Sequence, residues 1–528
     1  MKSLMKKVFA AAAAIATVFG LAATTVATAN AADNATLTVS TTDAKFAGKT
    51  VNAYKMFSAT VSDDGKAVSH TLTDEWKPFF KNSVGLTGVT DANVNDKAND
   101  YVSKLTGNAL VAFATKASNW AQNTANGIKV NKTTTVSSNA TDGKYTATFT
   151  GLDYGYYVVA VPGATLADAK GQYAALVRVH STTVSVDIKG DLPTVDKKVQ
   201  VNGTGKDATD AKIGDTLTFT LTSTIPDMSA YSTYTFNFKD TLSKGLTFEQ
   251  VDSVKVGDTT LTKDTDYTVT TSTVSDSTLL TVTMLNFKAK QQTNAGKKIT
   301  VTYTATLNKD AVVGGAGNVN SATIQYSNNP STNGTGESEP SKVRVFTYGF
   351  TVDKYTGKNY DDTATRLAGA EFTLAHKDGS AISFVQVSAG SATANAVYRV
   401  AKAGETGTTT ITTPANGKVV FQGLNNGEYT LTETKAPAGY NKLSSAIGVK
   451  VNGQNNGTDT TNATVTITYN NDNGSDYNQT ASNGVIPVQN KSGVTLPGTG
   501  GMGTIAFTVI GVLVIALGVA WTLKRKNA

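Results

Sequence analysis

At 528 residues the chain is long enough for about three domains, and it has no cysteine, which excludes disulfides, thiolate metal sites and thiol nucleophiles. Its three histidines, His70, His180 and His376, lie more than 100 residues apart, so no short metal-ligand or catalytic histidine pattern exists, and nothing in the composition asks for a metal or an organic cofactor. The formal charge of +7 comes from 47 Lys and Arg against 40 Asp and Glu; setting aside Lys2, Lys6, Lys7, Lys524, Arg525 and Lys526 at the two ends leaves 41 against 40, a nearly neutral body that excludes nucleic-acid binding by bulk charge.

Residues 1–31 read as a cleaved secretory signal, with three lysines, an apolar stretch from Val8 to Ala23 and small residues at Ala29-Asn30-Ala31 where signal peptidase cuts. Beyond it the chain is rich in Thr, Val, Asn and Gly. Short runs such as Thr216-Leu217-Thr218-Phe219-Thr220-Leu221 alternate apolar and polar residues, which is the period of a half-buried strand. The expected fold class is mainly β, with tandem immunoglobulin-like β-sandwich domains. One region departs from this pattern. Leu110, Phe113, Ala114, Ala117 and Ala121, within 98–122, recur at helical spacing, as do Trp76, Phe79 and Phe80, so the first domain carries added helices. Breaks at Gly190-Asp191-Leu192-Pro193 and across 328–341 divide the chain into modules at 32–190, 191–343 and 344–495.

The second and third modules open alike, with Val195-Asp196-Lys197 and Val352-Asp353-Lys354. Residues i and i+2 of a strand share a face, so Lys197 joins Val195 and Val199, and Lys354 joins Val352, toward the core, while Lys198 points the other way. Burial disfavours an ammonium and lowers its pKa until the free amine, a nucleophile, becomes accessible. The alternative is a bulge that turns the lysine to solvent.

At the C-terminus, residues 504–523 form an apolar run long enough to cross a bilayer as a helix, followed by Lys524, Arg525 and Lys526. Just before it stands Leu496-Pro497-Gly498-Thr499-Gly500, which resembles the LPxTG cell-wall sorting signal of Gram-positive bacteria, and residues 496–528 are read as that signal with its transmembrane helix and basic tail. The resemblance implies that a sortase cysteine attacks the Thr499 carbonyl and releases Gly500 onward.

A second resemblance lies in Tyr429-Thr430-Leu431-Thr432-Glu433-Thr434-Lys435-Ala436-Pro437-Ala438-Gly439-Tyr440, which is similar to the E-box of Gram-positive pilins with the collagen-adhesin B-type sandwich. In that family a lysine of the first strand forms an amide with an asparagine of the last, assisted by the E-box glutamate; carried over, these are Lys354, Asn490 and Glu433. The chemistry is consistent with a buried carboxyl that stays protonated and polarises the asparagine amide for attack by a neutral lysine, with ammonia leaving. Module two resembles the companion A-type sandwich, which implies Lys197, an assisting Asp240 in Phe236-Asn237-Phe238-Lys239-Asp240, and Asn320 as acceptor. Asn318 competes with Asn320, because both lie on the face of Ala322, Ile324 and Tyr326.

Backbone pilins also carry a lysine between their first two domains, usually in Tyr-Pro-Lys, that resolves the sortase acyl intermediate. The equivalent stretch here, Val184 to Gly190, has Asp187-Ile188 in place of Tyr-Pro, and Lys189 falls on the solvent side of a strand whose Val184, Val186 and Ile188 face inward. The resemblance to major pilins therefore implies a structural shaft subunit, not an enzyme, joined by a class C pilin sortase through Thr499 to Lys189 of the next copy. A housekeeping sortase would fix the polymer to peptidoglycan, a tip or accessory pilin would complete it, and it would support adhesion to a host ligand that the sequence does not identify. A wall-anchored monomeric adhesin is the rival reading. A surface hydrolase using Asp240 and Glu433 is disfavoured because the two acids lie in different modules.

Overall fold

The structure is a computed structural model that describes residues 33–61, 68–165, 173–330, 333–455, 463–471, 474, 476–493 and, near the C-terminus, 511–512, 514–517, 519 and 521–522. The signal at 1–31 and the motif at 496–500 lie outside the described residues, as does much of the apolar run at 504–523. Among the described residues no helix is long and apolar enough to cross a membrane.

The first module pairs two sheets. The strand Asp33–Thr41 lies between Tyr145–Asp153, antiparallel, and Thr183–Asp187, parallel. A second sheet runs in the order Val68–Leu72, Thr50–Val61, Gly155–Ala160, Ala174–Val179. Its outer face is covered by the helices Lys77–Asn82, Val94–Ser103 and Gly107–Gln122. The helical stretch expected over 98–122 is thus two helices, parted at Lys104–Thr106 and restarted at Gly107, whose φ of +53° belongs to neither. Phe79 meets Trp76, Phe80 and Phe113 edge-on between helices and sheet, with ring centroids 5.3 to 5.7 Å apart.

The second module is a sandwich of two mainly antiparallel sheets. One contains Asp196–Val201, Thr216–Thr224, Lys298–Leu307 and Leu246–Val256 in that order; the other contains Ser341–Phe346, Asn318–Ser327, Phe236–Leu242, Ser277–Met284 and Tyr267–Val274. Alternation sets the core: Phe219, Leu221, Val301, Ala305, Phe238, Val282 and Ile324 are all fully buried. The strand Ser341–Phe346 carries this sheet past the break placed at 343, and the first strand of the third module, Tyr348–Thr356, follows after Thr347 alone.

In the third module Tyr348–Thr356 lies between Lys418–Leu424, antiparallel, and Val485–Gln489, parallel; the facing sheet holds Glu371–His376, Gly427–Lys435, Ile447–Gln454 and Thr464–Asn470. The first and last strands of this module are therefore neighbours. At the junction with the second module, Tyr348 Oη donates to Asp210 Oδ1 at 3.2 Å and Asn426 Nδ2 to Asp210 Oδ2 at 2.7 Å, and burial pushes the Asp210 carboxyl up. Ile213 packs there onto Gly423, where a Cβ would come within 2.7 Å of Ile213 Cδ1 and where φ is +84°.

Candidate functional site

Alternation along Asp196–Val201 turns Lys197 inward between Val195 and Val199, and no part of its side chain reaches solvent. Its ammonium nitrogen lies 5.2 Å from the centroid of the Phe219 ring and 2.5 Å from Asp240 Oδ2. Asp240 stands on the facing sheet, and so does Asn320, which pairs in register with Leu242. Tyr303, from the sheet of Lys197, completes the group: Lys197 Nζ donates to its hydroxyl at 2.8 Å, the hydroxyl donates to Asp240 Oδ2 at 2.6 Å, and Asn320 Nδ2 donates to the hydroxyl at 2.6 Å. Burial lowers the Lys197 pKa to about 8 against the opposing pull of Asp240. Burial likewise holds the Tyr303 phenol well above its ordinary value, and Asp240 adds to this. Lys198 points the other way, to Asp207 at 2.5 Å and Asp196 at 3.3 Å.

The third module repeats the arrangement with a longer acid. Lys354 is fully buried and lies opposite Val488 of the last strand. Its nitrogen is 3.2 Å from Glu433 Oε1 and donates to the Val488 carbonyl at 3.3 Å. Asn490 Nδ2 donates to Glu433 Oε2 at 3.0 Å and to the Asn441 carbonyl at 2.9 Å, while the Leu443 amide donates to the same Oε2 at 2.8 Å. Burial brings the Lys354 amine down to about 8, with Glu433 acting in the opposite sense. Simple alternation would leave Asp353 outside. Instead it is buried on the opposite side of the strand, 2.8 Å from Arg366 Nε and accepting from Tyr360 Oη at 3.0 Å.

Both expected lysine, acid and asparagine sets are thus brought together. Tyr303 was not anticipated. Ile299, Val301, Tyr303 and Ala305 are successive inward positions of one strand, all fully buried. A tyrosine among them reads from sequence as ordinary core.

Lys189 is exposed and lies two residues beyond the strand Thr183–Asp187. The preceding Ile188 is buried and its amide donates to the Ser40 carbonyl at 2.8 Å. The following Gly190 lies so close to Tyr173 that a Cβ would come within 2.6 Å of the tyrosine Cβ. Backbone anchors on both sides leave only the Lys189 side chain outside, beside an open groove with Thr41, Thr42 and the Lys45–Asp191 ion pair of 2.6 Å. Among the described residues no group of histidines and acids could hold a metal ion.

Residues 213–330 match a domain family described as Gram-positive pilin backbone subunit 2, Cna-B-like domain, residues 353–466 match a prealbumin-like fold domain, and residues 488–528 match the LPXTG cell wall anchor motif. The second module, expected to be an A-type sandwich, matches instead a family described as Cna-B-like. No curated protein matches the chain. Similar solved structures include the major pilin SpaA of Corynebacterium diphtheriae, at 17% identity and a TM-score of 0.47 over 87% of this chain and 100% of that one. The T6 backbone pilin of Streptococcus pyogenes matches at 20% identity and a TM-score of 0.43 over 81% and 83%. The major pilin SpaD of C. diphtheriae matches at 20% and 0.39 over 86% and 96%. A pilin-backbone Cna-B-like domain, a prealbumin-like domain and an LPXTG cell-wall anchor thus stand in order in a single chain, the make-up of a pilin backbone subunit attached to the Gram-positive cell wall.

Proposed function

We propose that the protein is a shaft subunit polymerised covalently from Thr499 of one copy to Lys189 of the next, and that each copy is reinforced internally by Lys197–Asn320 and Lys354–Asn490 isopeptide bonds. The observation that carries this reading is a fully buried lysine set against an acid and an asparagine, twice, in a cysteine-free chain with a wall anchor. An unpaired ammonium at such depth would cost several kcal/mol. Here each lysine has an acid beside it and an asparagine in the same group, which supports a use for the amine beyond a structural ion pair.

In the internal reaction the lysine passes a proton to its carboxylate partner, the neutral amine attacks the asparagine Cγ, and the former Nδ2 departs as ammonia. Each site turns over once. In the intermolecular reaction a sortase thiolate attacks the Thr499 carbonyl with loss of the Gly500 amine, and the neutral Lys189 amine of another copy displaces the thiolate. A link from the tail of one copy to the body of the next is heterologous and does not close, so repetition gives an open fibre. A class C pilin sortase is the expected polymerising enzyme, a housekeeping sortase would transfer the finished shaft to peptidoglycan, and a tip or accessory pilin would share the fibre.

The test is a denaturing blot of wall extracts from the native host, comparing the native chain with Lys189→Ala. The reading expects a high-mass ladder that collapses to monomer in the variant. A ladder that survives would move the acceptor to another lysine. No ladder from the native chain would favour a wall-anchored monomeric adhesin.

A further inference from the structure

We propose that Tyr303 is a catalytic residue of the second module's cross-linking reaction, carrying a proton between Asp240 and the asparagine nitrogen that leaves. The inference rests on the reading of Lys197, Asp240 and Asn320 as a self-condensing group.

Its basis is a difference in reach. In the third module Glu433 touches both reacting side chains directly, Lys354 at 3.2 Å and Asn490 at 3.0 Å. Asp240 is one methylene shorter. Its Oδ2 is engaged by Lys197 and Tyr303, and neither Asp240 Oδ1 nor Asn320 Oδ1 has a hydrogen-bond partner among the described residues. Acid and asparagine therefore communicate only through the Tyr303 hydroxyl, which lies within 2.8 Å of the attacking nitrogen and 2.6 Å of the departing one.

Two other buried tyrosines donate to the main chain. The Tyr157 hydroxyl donates to the Asp153 carbonyl at 3.0 Å, and that of Tyr429 to the Asn425 carbonyl at 2.8 Å. The three partners of Tyr303 are all side chains of the reacting group, and none is main chain. All four side chains lie at zero exposure, so a proton must cross the site through protein groups.

Lys197 gives a proton to Asp240 Oδ2, and its free pair forms the new bond to Asn320 Cγ. The former amide nitrogen, now tetrahedral and basic, takes the hydroxyl proton of Tyr303, and the hydroxyl is refilled from Asp240. The attacking nitrogen returns a proton to Asp240 as the C–N bond to Nδ2 breaks. Ammonia leaves, the new amide keeps one hydrogen, and one proton of the original ammonium remains on Asp240. Tyr303 ends as it began.

Tyr303→Phe tests this, because the ring keeps its stack on Phe219 at 5.3 Å and loses only the hydroxyl. The full chain is made by cell-free translation, synthesis is stopped, and samples taken over time are digested and read for the Lys197–Asn320 cross-linked peptide by mass spectrometry. The Lys354–Asn490 peptide of the same molecules reports that the third module has formed, and resistance of residues 196–346 to limited proteolysis reports the same of the second. Removal of a general acid–base group predicts that the Lys197–Asn320 peptide accumulates about a hundredfold more slowly while the Lys354–Asn490 peptide is unaffected. Equal rates in native chain and variant would overturn the role of Tyr303 and leave the cross-link standing. Absence of the Lys197–Asn320 peptide from the native chain would overturn the underlying reading, and this inference with it.

Discussion

Asn318 and Asn320 leave the same strand on the same side, yet their side chains have different occupations. Asn318 is tied to the main chain, accepting from the Val312 amide at 2.8 Å and donating to the carbonyls of Val312 and Val345 at 3.2 and 3.1 Å. Asn320 donates only to Tyr303, in the lysine group. One asparagine is a brace for a loop, and the other belongs to the lysine group.

Two substitutions separate these roles. With Asn320→Ala the purified chain should weigh less than its sequence mass by one ammonia instead of two, and should lose on the order of 4 to 5 kcal/mol of stability, as expected for opening a closed loop of a hundred residues or so. Asn318→Ala should keep both ammonia losses and cost about 1 to 3 kcal/mol for each main-chain group left unpaired. Intact mass and thermal unfolding read both. A missing ammonia in Asn318→Ala would exchange the assignments.

The free lysines should be visible in the pH dependence of a chain that cannot cross-link. In Asn320→Ala/Asn490→Ala, Lys197 and Lys354 remain amines whose pKa burial lowers from 10.5 to about 8. Below about pH 8 both folded and unfolded chains carry the charge, and the cost of burying it is present in full. Between 8 and 10.5 the unfolded chain holds protons that the folded chain has released, so stability rises with pH across that window. The melting temperature of the double variant should climb between pH 8 and 10 relative to that of the native chain, whose lysines under the proposed cross-links are amides and do not titrate. Parallel profiles would show that the native lysines are also free.

Much of this arrangement was legible in the chain. The period-two runs placed Lys197, Lys198 and Lys354 on their faces, because a strand has only two sides and one of them is oil. The E-box run led to Glu433 and Asn490, which the parallel pairing of the first and last strands brings within reach of Lys354. Parity failed where two candidates differ by two residues, as at Asn318 and Asn320; only hydrogen-bond partners separate them. It also failed at Asp353, where Arg366 and Tyr360 compensate a carboxylate on a face expected to be wet. Tyr303 was hidden for a different reason: a tyrosine in an inward position has a packing role that sequence cannot distinguish from a chemical one.

Load on the fibre enters each copy at Lys189 and leaves at Thr499 under the proposed linkage, which puts the first module beside the load path and the other two on it. The internal lysines follow the same division, since among the described residues the first module buries no lysine while the second and third bury one each. The two proposed cross-links would not be mechanically equivalent. In the third module Lys354 and Asn490 lie on neighbouring parallel strands at entry and exit, so a bond between them bypasses everything from 355 to 489. In the second module the bond reaches Asn320, and the chain from 321 to 346 remains in series with the load, held by the pairing of Ser341–Phe346 with Asn318–Ala322 and with Ala208–Asp210. Pulling a single chain from Lys189 to its C-terminal end should therefore leave the third module at constant length and give one small extension from the second, at most about 9 nm at ~3.5 Å per residue. Asn490→Ala should add a far longer extension from the third module. A native trace in which the third module unravels would exclude the Lys354–Asn490 bond, and one with no extension would place the second module's acceptor closer to Phe346 than Asn320 is.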